Sequence, residues 1–360
     1  MPKILFISDH RLNRSPSQRY RYEQYLSFFR EQGYDLSFSE LINAKDDAVF
    51  YGKGRLLQKV WVMVKSIGIR FRDLRRAGHF DIIFIQREAL FIGSSFFEKR
   101  FFRSGARVIF DFDDSIWLLD TSPENKKWEW LKNPGKTAVN IANAHAVIAG
   151  NAYLADYARQ FNKAVYIIPT TIDTDFHKPM PELRGQGPVV IGWSGSLSTI
   201  KHFEYALPFL KKLKQKYGDA IAIKVIGDGH YKNEELHTIS QNWNATDEVR
   251  DLNTFDIGIM PLPHDEWAKG KCGLKGLSYM ACGVPAVMSP VGVNTEIIQH
   301  GQNGFLADNT DEWVAVLSEL IENKALRERT GQAGRETILA QYSVEANKQK
   351  YLQVLQQATC

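Results

Sequence analysis

The sequence predicts an α/β protein built from two parallel-sheet domains, and three observations carry that prediction. Short apolar runs rich in β-branched and aromatic residues recur along the chain, longer stretches of helical character separate them, and the alternation pauses once near the middle before resuming. A parallel neighbour is reached only through a crossover, so strand–helix alternation reads as consecutive βα units. At 360 residues the chain exceeds what one ordinary core holds, and two domains are the natural partition.

In the first half, the runs at 3–8, 81–86, 106–111, 145–149 and 164–168 read as buried strands. The pause falls at Ile168-Pro-Thr-Thr-Ile-Asp-Thr-Asp-Phe-His-Lys-Pro179 and the polar, Gly/Pro-bearing segment 181–188. Strands resume at 189–193, 221–226, 255–260, 285–288 and 304–307, with the clearest helices at 202–217 and 311–324. Helical character persists from 325 to 357, longer than closing one sheet requires, so the last helix is expected to cross back onto the first domain. The expected domains are therefore 1–172 and 173–340, with 341–360 as the returning helix.

Composition narrows the function classes. With 44% hydrophobic and 24% charged residues the chain is a folded, water-soluble type, and a net charge of only +4 gives no reason to expect a nucleic-acid partner. Cys272, Cys282 and Cys360 are too few for a disulfide framework and lack paired metal-ligand spacing, which fits a reducing compartment; the histidines are scattered, and no metal is expected. Lys3-Ile-Leu-Phe-Ile-Ser8 has a buried strand's length rather than that of a signal peptide's apolar region, and no apolar run approaches the roughly 20 residues of a membrane span. A cytoplasmic location is expected, with a peripheral seat on the inner face of the cytoplasmic membrane left open.

Ligands of open parallel sheets bind beyond the carboxyl ends of the strands. Two segments there carry the chemistry. In Val190-Ile-Gly-Trp-Ser-Gly-Ser-Leu-Ser-Thr-Ile-Lys201, Gly192 and Gly195 let backbone amides approach a phosphate, the following helix start favours negative charge, and Lys201 adds a full positive charge. An ordinary βα turn with a Ser or Thr cap is the competing reading. In the second, 267–289, Lys269, Lys271 and Lys275 gather at a helix start where a purely structural helix prefers acids, and that inversion points to an anionic ligand; solvated surface lysines are the alternative.

These segments resemble the sugar-nucleotide domain of the group 1 glycosyltransferases, retaining enzymes of the GT-B fold in which two Rossmann-like domains face each other across a cleft. Ser278-Tyr-Met-Ala-Cys-Gly-Val-Pro-Ala-Val stands where the family usually has Glu-Ala-Met-Ala-x-Gly-x-Pro-Val-Val, and Ile226-Gly-Asp-Gly229, Ile168-Pro-Thr-Thr-Ile-Asp173 and Glu296 through Gly301-Gln-Asn-Gly-Phe-Leu306 match further family segments. The resemblance covers about 168–345 and implies a nucleotide-diphosphate sugar, UDP- or GDP-linked, as co-substrate, with no other cofactor. It places Gly195, Ser196, Lys201, Gly227, Gly270, Lys271, Cys272, Gly273, Leu274, Lys275 and Ser278 at the donor, with Lys201 and Lys271 stabilising the leaving diphosphate. The chain departs from the pattern where a pair of glutamates is implied: Gly270 and Ser278 occupy those positions, and Ser196 stands in place of an arginine.

The N-terminal half resembles the family more weakly, through element order and Ala144-His-Ala-Val-Ile-Ala-Gly-Asn-Ala-Tyr153. Ser15-Pro-Ser-Gln-Arg-Tyr-Arg21 follows the first strand, and Arg19 and Arg21 are candidate ligands of an acceptor phosphate, or solvated arginines at a helix start. Phe110-Asp-Phe-Asp-Asp-Ser-Ile-Trp117 ends a strand on the same side. Asp113 or Asp114 there would orient or deprotonate an acceptor hydroxyl or stabilise an oxocarbenium-like transition state; helix capping and metal binding are the alternatives.

Finally, Lys53, Arg55, Lys59, Lys65, Arg70, Arg72, Arg75 and Arg76 interleave with Leu56, Leu57, Val60, Trp61, Val62, Val64, Ile67, Ile69 and Phe71. Such a helix reads either as a membrane-surface contact, suited to a lipid-linked acceptor, or as a crossover helix with a buried apolar face and a solvated basic one. The leading expectation is transfer of a sugar to a glycan or lipid-linked acceptor in surface polysaccharide or glycoconjugate synthesis. A non-catalytic sugar-nucleotide or glycan-binding protein, and an epimerase of the same fold, are the alternatives.

Overall fold

The computed structural model describes residues 1–52, 54–118, 133–185, 187–196 and 199–359; Lys53 of the basic stretch, Leu197 and Ser198 of the first loop, and Cys360 lie outside the described residues. The chain divides into two units, Met1–Thr170 with Lys348–Cys360, and Thr171–Asn347. Each holds one six-stranded parallel sheet.

The first sheet contains β1 (Lys3–His10), β2 (Asp35–Ile42), β3 (Ile82–Gln86), β4 (Arg107–Phe112), β5 (Ala146–Ala149) and β6 (Val165–Ile167), in the order β2-β1-β3-β4-β5-β6. The second contains β7 (Val189–Ser194), β8 (Ile221–Gly227), β9 (Ile239–Asn242), β10 (Ile257–Met260), β11 (Ala286–Met288) and β12 (Phe305–Leu306), in the order β12-β11-β10-β7-β8-β9. In each sheet the strand order reverses once, between β1 and β3 and between β7 and β10, and the crevice beyond those strand ends is where ligands of this architecture bind.

The central strands β3 and β10 are buried along their whole length, and their sequences are correspondingly continuous apolar runs. Two strands fall outside the runs expected from sequence, β2 and β9. Both are edge strands with a neighbour on one side only, and their half-exposed residues Asp35-Leu-Ser-Phe-Ser-Glu and Ile239-Ser-Gln-Asn lack a long apolar signal. The helix expected over 202–217 is two, Ile200–Glu204 and Leu207–Tyr217. Pro208 explains the break: it has no N–H for a helical bond to the preceding turn, and it disfavours helical geometry at Leu207 unless a new helix begins there. No helix among the described residues is long and apolar enough to cross a membrane.

The last helix, Val344–Thr359, returns to the first unit, where the Tyr351 ring meets Tyr25 at 4.5 Å and Phe29 at 6.0 Å. That interior also stacks Phe6 on Tyr22 at 4.8 Å and sets it 5.2 Å from Phe84. Within it lies a fully buried ion pair. Arg21 donates through Nη2 to Asp111 at 2.5 Å and through Nη1 to the Ile168 carbonyl at 2.5 Å, with neither side chain exposed. Arg21 therefore ties the Ser15–Arg21 segment to the end of β4 and the chain after β6, a structural position rather than one open to an acceptor phosphate.

A buried charge left without its partner is expensive, so Arg21→Met should lower unfolding free energy by about 3–5 kcal/mol in urea denaturation. The double variant Arg21→Met/Asp111→Leu should recover much of the loss; equal stability of the two variants would place the effect in packing instead.

Candidate functional site

The two segments that the sequence singles out lie at the reversal point of the second sheet, after β7 and after β10. Tyr279 joins them. This residue belongs to the helix Leu274–Ala281, is fully buried, and its hydroxyl accepts the Ser194 N–H at 2.9 Å and lies 3.4 Å from the Ile259 carbonyl. Its ring fits only because residue 258 is glycine: a Cβ there would sit 2.3 Å from Tyr279 Cδ2. Burial pushes the phenol's pKa well above its ordinary value, so the hydroxyl stays protonated.

With the helix so placed, its first turn faces the end of β7. Lys275 Nζ lies 5.4 Å from the centre of the Trp193 ring, and Lys271 Nζ lies 5.3 Å from that of Trp267, both within cation–π range. Helix Leu274–Ala281 starts at Gly273, whose φ of +71° suits glycine, and among the described residues no side chain caps it and no acid stands in its first turn. The positive end of the helix dipole and two lysines thus converge. Lys269 takes another path: it is exposed and paired with Glu266 at 2.5 Å.

The glycines separate by role. Gly195 and Gly227 bring two strand ends into backbone contact: Gly195 N–H donates to the Ile226 carbonyl at 2.9 Å, and a Cβ on Gly227 would lie 2.3 Å from the Gly195 carbonyl oxygen. Gly192 answers to the interior, since the Phe255 ring occupies its Cβ position at 2.1 Å, so packing alone accounts for it. Ser196 N–H donates to Thr199 Oγ at 2.9 Å, and Lys201 is exposed on the helix Ile200–Glu204. Gly270, Cys272 and Gly273 are buried and Leu274 half-buried; Cys272 Sγ lies 3.7 Å from the Gly270 carbonyl. Ser278 donates its hydroxyl to the Leu274 carbonyl at 2.9 Å, turning back onto its own helix.

The reversal point of the first sheet carries a second charged cluster, largely missed from sequence. Asp9 is the penultimate residue of β1, Arg87 and Glu88 follow β3, and Asp113 and Asp114 follow β4. Arg87 has φ +62°, a strained left-handed conformation for a residue with a side chain. It donates Nε to Asp113 at 2.7 Å and Nη2 to Asp114, so both predicted aspartates are held by one guanidinium. Lys136, from the helix Gly135–Asn143, reaches Glu98 at 2.9 Å, Glu88 at 3.1 Å and the Leu90 carbonyl at 2.6 Å.

Burial, reinforced by the charge of Glu88, raises Asp9 to about 8, and its Oδ1 has no hydrogen-bond partner among the described residues. Burial likewise raises Asp113 against the pull of Arg87, and lowers His10 to about 4 with help from Arg14. Arg19 is half-buried, its guanidinium 5.1 Å from the Tyr20 ring centre. Asp9 and Arg87-Glu88 had a legible signal, since each directly follows an apolar run of the sequence; Lys136 had none, because only the fold brings it there. Among the described residues no group of three or more His, Cys, Asp or Glu side chains is arranged to hold a metal.

Two measurements check this geometry. Tyr279→Phe leaves the Ser194 amide without its partner and should cost about 1–3 kcal/mol of stability while loosening the lysine pair. For Asp9, the unfolded chain releases its proton near pH 4 and the folded chain near 8, so its contribution to stability is present below pH 4 and lost as pH rises to about 8. Asp9→Asn should therefore show a shallower fall in melting temperature across that range than the unsubstituted protein; identical slopes would mean that Asp9 ionises normally.

Residues 188–323 match the sequence family described as Glycosyl transferases group 1. N-acetyl-alpha-D-glucosaminyl L-malate synthase of Bacillus anthracis is 33% identical over 85 residues, 23% of this chain and 22% of that protein. The lipopolysaccharide core biosynthesis glycosyltransferase LpsE of Rhizobium meliloti (strain 1021) is 25% identical over 143 residues, 36% of this chain and 40% of its own. The chain thus spans well under half the length of these curated relatives. Across the full fold, the crystal structure of Anabaena Alr3699/HepE in complex with UDP and glucose superposes with a TM-score of 0.71 at 16% identity, covering 99% of this chain and 100% of that one. Residues 188–323 thus match the group 1 glycosyl transferase family, within a chain that has the GT-B fold.

Proposed function

We propose that this protein transfers a sugar from a nucleoside-diphosphate donor, UDP- or GDP-linked, to a glycan or lipid-linked acceptor in surface polysaccharide or glycoconjugate synthesis. The observation that carries the reading is the convergence of Lys275, Lys271 and the uncapped, acid-free start of Leu274–Ala281 at the sheet's reversal point. As the bond from sugar to phosphate breaks, negative charge grows on the departing diphosphate. Cations and helix amides already fixed in place stabilise that charge without having to reorganise. Lys201 adds a third positive charge, and the backbone of Gly195, Ser196, Gly227, Gly270 and Gly273 supplies close-approach surface. The similarity to HepE, whose structure holds UDP and glucose, supports this donor class.

The reaction proposed retains the anomeric configuration: the leaving phosphate accepts the proton of the attacking hydroxyl on the same face, and neither an enzyme nucleophile nor a metal is required. The acceptor is assigned to the first unit, with Asp113 and Asp114 positioned by Arg87 and with Arg19, on the same unit, as a further cation; Arg21 drops out because it is buried against Asp111. A lipid-linked acceptor would place the reaction at the inner face of the cytoplasmic membrane.

One observation favours a second reading. Ser278, where the resemblance implies a glutamate, turns its hydroxyl onto Leu274, which suits a protein that binds a sugar nucleotide without transferring it. A panel of labelled UDP- and GDP-sugars with and without lipid-linked acceptor separates the cases. Transfer supports the proposal, binding without turnover supports the second reading, and an epimerised donor in the absence of acceptor would indicate an epimerase. Lys275→Ala and Lys271→Ala should each raise the Kd for the donor roughly 10- to 100-fold, the range expected for losing a charged hydrogen bond, with little change in melting temperature.

A further inference from the structure

The helix Leu56–Arg76 is inside-out relative to a crossover helix. Its buried face holds Val62, Ser66, Arg70 and Asp73, while Leu57 is 85% exposed, Trp61 68%, and Val60, Val64 and Phe71 are exposed as well. The exposed apolar positions 57, 60, 61, 64 and 71 keep helical spacing, so they form one stripe along one side. The polar inner face has its own explanation: Arg70 donates to the Ser8 carbonyl at 2.7 Å, to Ser39 Oγ at 2.8 Å and to Asp73 at 3.0 Å, which fastens the helix to β1 and β2. Of the outer stripe, among the described residues only Phe71 is engaged by a ring contact, at its C-terminal end.

The exposed charges beside that stripe are basic, while half-buried Asp46, on the helix Ala44–Phe50, pairs with Lys65. Arg55, Arg72 and Arg75 are exposed on or beside the helix, and Lys99, Arg100 and Arg103 come from the helix Phe96–Phe101 and the turn after it, which Phe71 joins through edge contacts with Phe96 at 5.9 Å and Phe97 at 5.2 Å. Lys99, Arg100 and Arg103 line an open recess of about 410 Å³. The acids of these two helices, Asp73 and Glu98, are both fully buried. Arg70 and Arg76, counted among the basic residues of this stretch, belong to the buried Asp73 network rather than to the surface charge.

We propose that this face docks in the plane of an anionic lipid bilayer, with Leu57, Val60, Trp61, Val64 and Phe71 entering the acyl boundary and the arginines and lysines on the head-group phosphates. Charge complementarity selects this occupant. A second copy would set cations against cations, because a two-fold contact pairs like patches. A nucleic acid would satisfy the cations but leave the apolar stripe against phosphate and water. The inference goes beyond the transfer reaction and stands whether or not the chain turns over a donor.

Flotation of the full chain with phosphatidylcholine vesicles, with and without phosphatidylglycerol, tests it at low and high salt. The expected result is binding to the anionic vesicles only, weakened by salt. Arg72→Gln/Arg75→Gln should weaken it roughly 20- to 30-fold, counting each basic residue at its usual value on an anionic surface. Leu57→Gln/Trp61→Gln should abolish the part that survives high salt. All four side chains are exposed, so circular dichroism and donor affinity should match the unsubstituted protein. Equal binding to neutral and anionic vesicles, binding unaltered in either double variant, or a concentration-dependent dimer that Trp61→Gln dissolves would each overturn the proposal.

Discussion

The hydroxyl of Tyr279 is the point on which the reversal point of the second sheet depends. It satisfies the amide at the end of β7 from a helix that follows β10, two strands that are neighbours in space and far apart in sequence. Glycine at 258 makes room for the ring, and the protonated phenol leaves no charge to be solvated. Once the helix is fastened there, the direction of Lys275 follows: its first-turn side chain projects over Trp193, itself a fully buried member of the core. Lys275 is thus held by the buried packing of its helix, while Lys271 stands in the short loop before it.

The first unit reaches its reversal point by a different route. Its strand ends carry ionisable residues of both signs instead of one lysine cluster, with Arg87 holding two aspartates and Lys136 holding two glutamates. Such a network is stable only while every charge keeps its partners, and Asp9, whose Oδ1 has no hydrogen-bond partner among the described residues and which feels the charge of Glu88, resolves the mismatch by keeping its proton. The strained backbone at Arg87 belongs to the same set, since a relaxed conformation would aim the guanidinium elsewhere. The helix Leu56–Arg76 on the same unit instead offers apolar side chains to its surroundings.

Much of the fold was legible because the central strands of a parallel sheet are buried on both faces and must be apolar along their length; β3 and β10 announce themselves. The edges β2 and β9 escape for the converse reason. Lys271 and Lys275 were legible as cations at a helix start without acids, and glycine content marked Gly195 and Gly227. Gly192 was read for the wrong cause, because the ring that demands a glycine there, Phe255, is far along the chain. Arg21 and Arg70 show the same limit: sequence presents each as an exposed arginine near a strand end or on a basic helix, yet both are buried and paired.

By itself, then, the sequence determined the two parallel sheets, the resemblance of residues 188–323 to a known family and the gathering of positive charge after β7 and β10, because strand burial and helix-start chemistry are local and leave local patterns. Tertiary structure alone decided which ring each lysine lies over, which aspartate holds its proton, and that the apolar side of Leu56–Arg76 points outward. Each of these turns on the partner brought up from a distant part of the chain: Trp193 beneath Lys275, Glu88 beside Asp9, and the carbonyl of Ser8 and hydroxyl of Ser39 around Arg70.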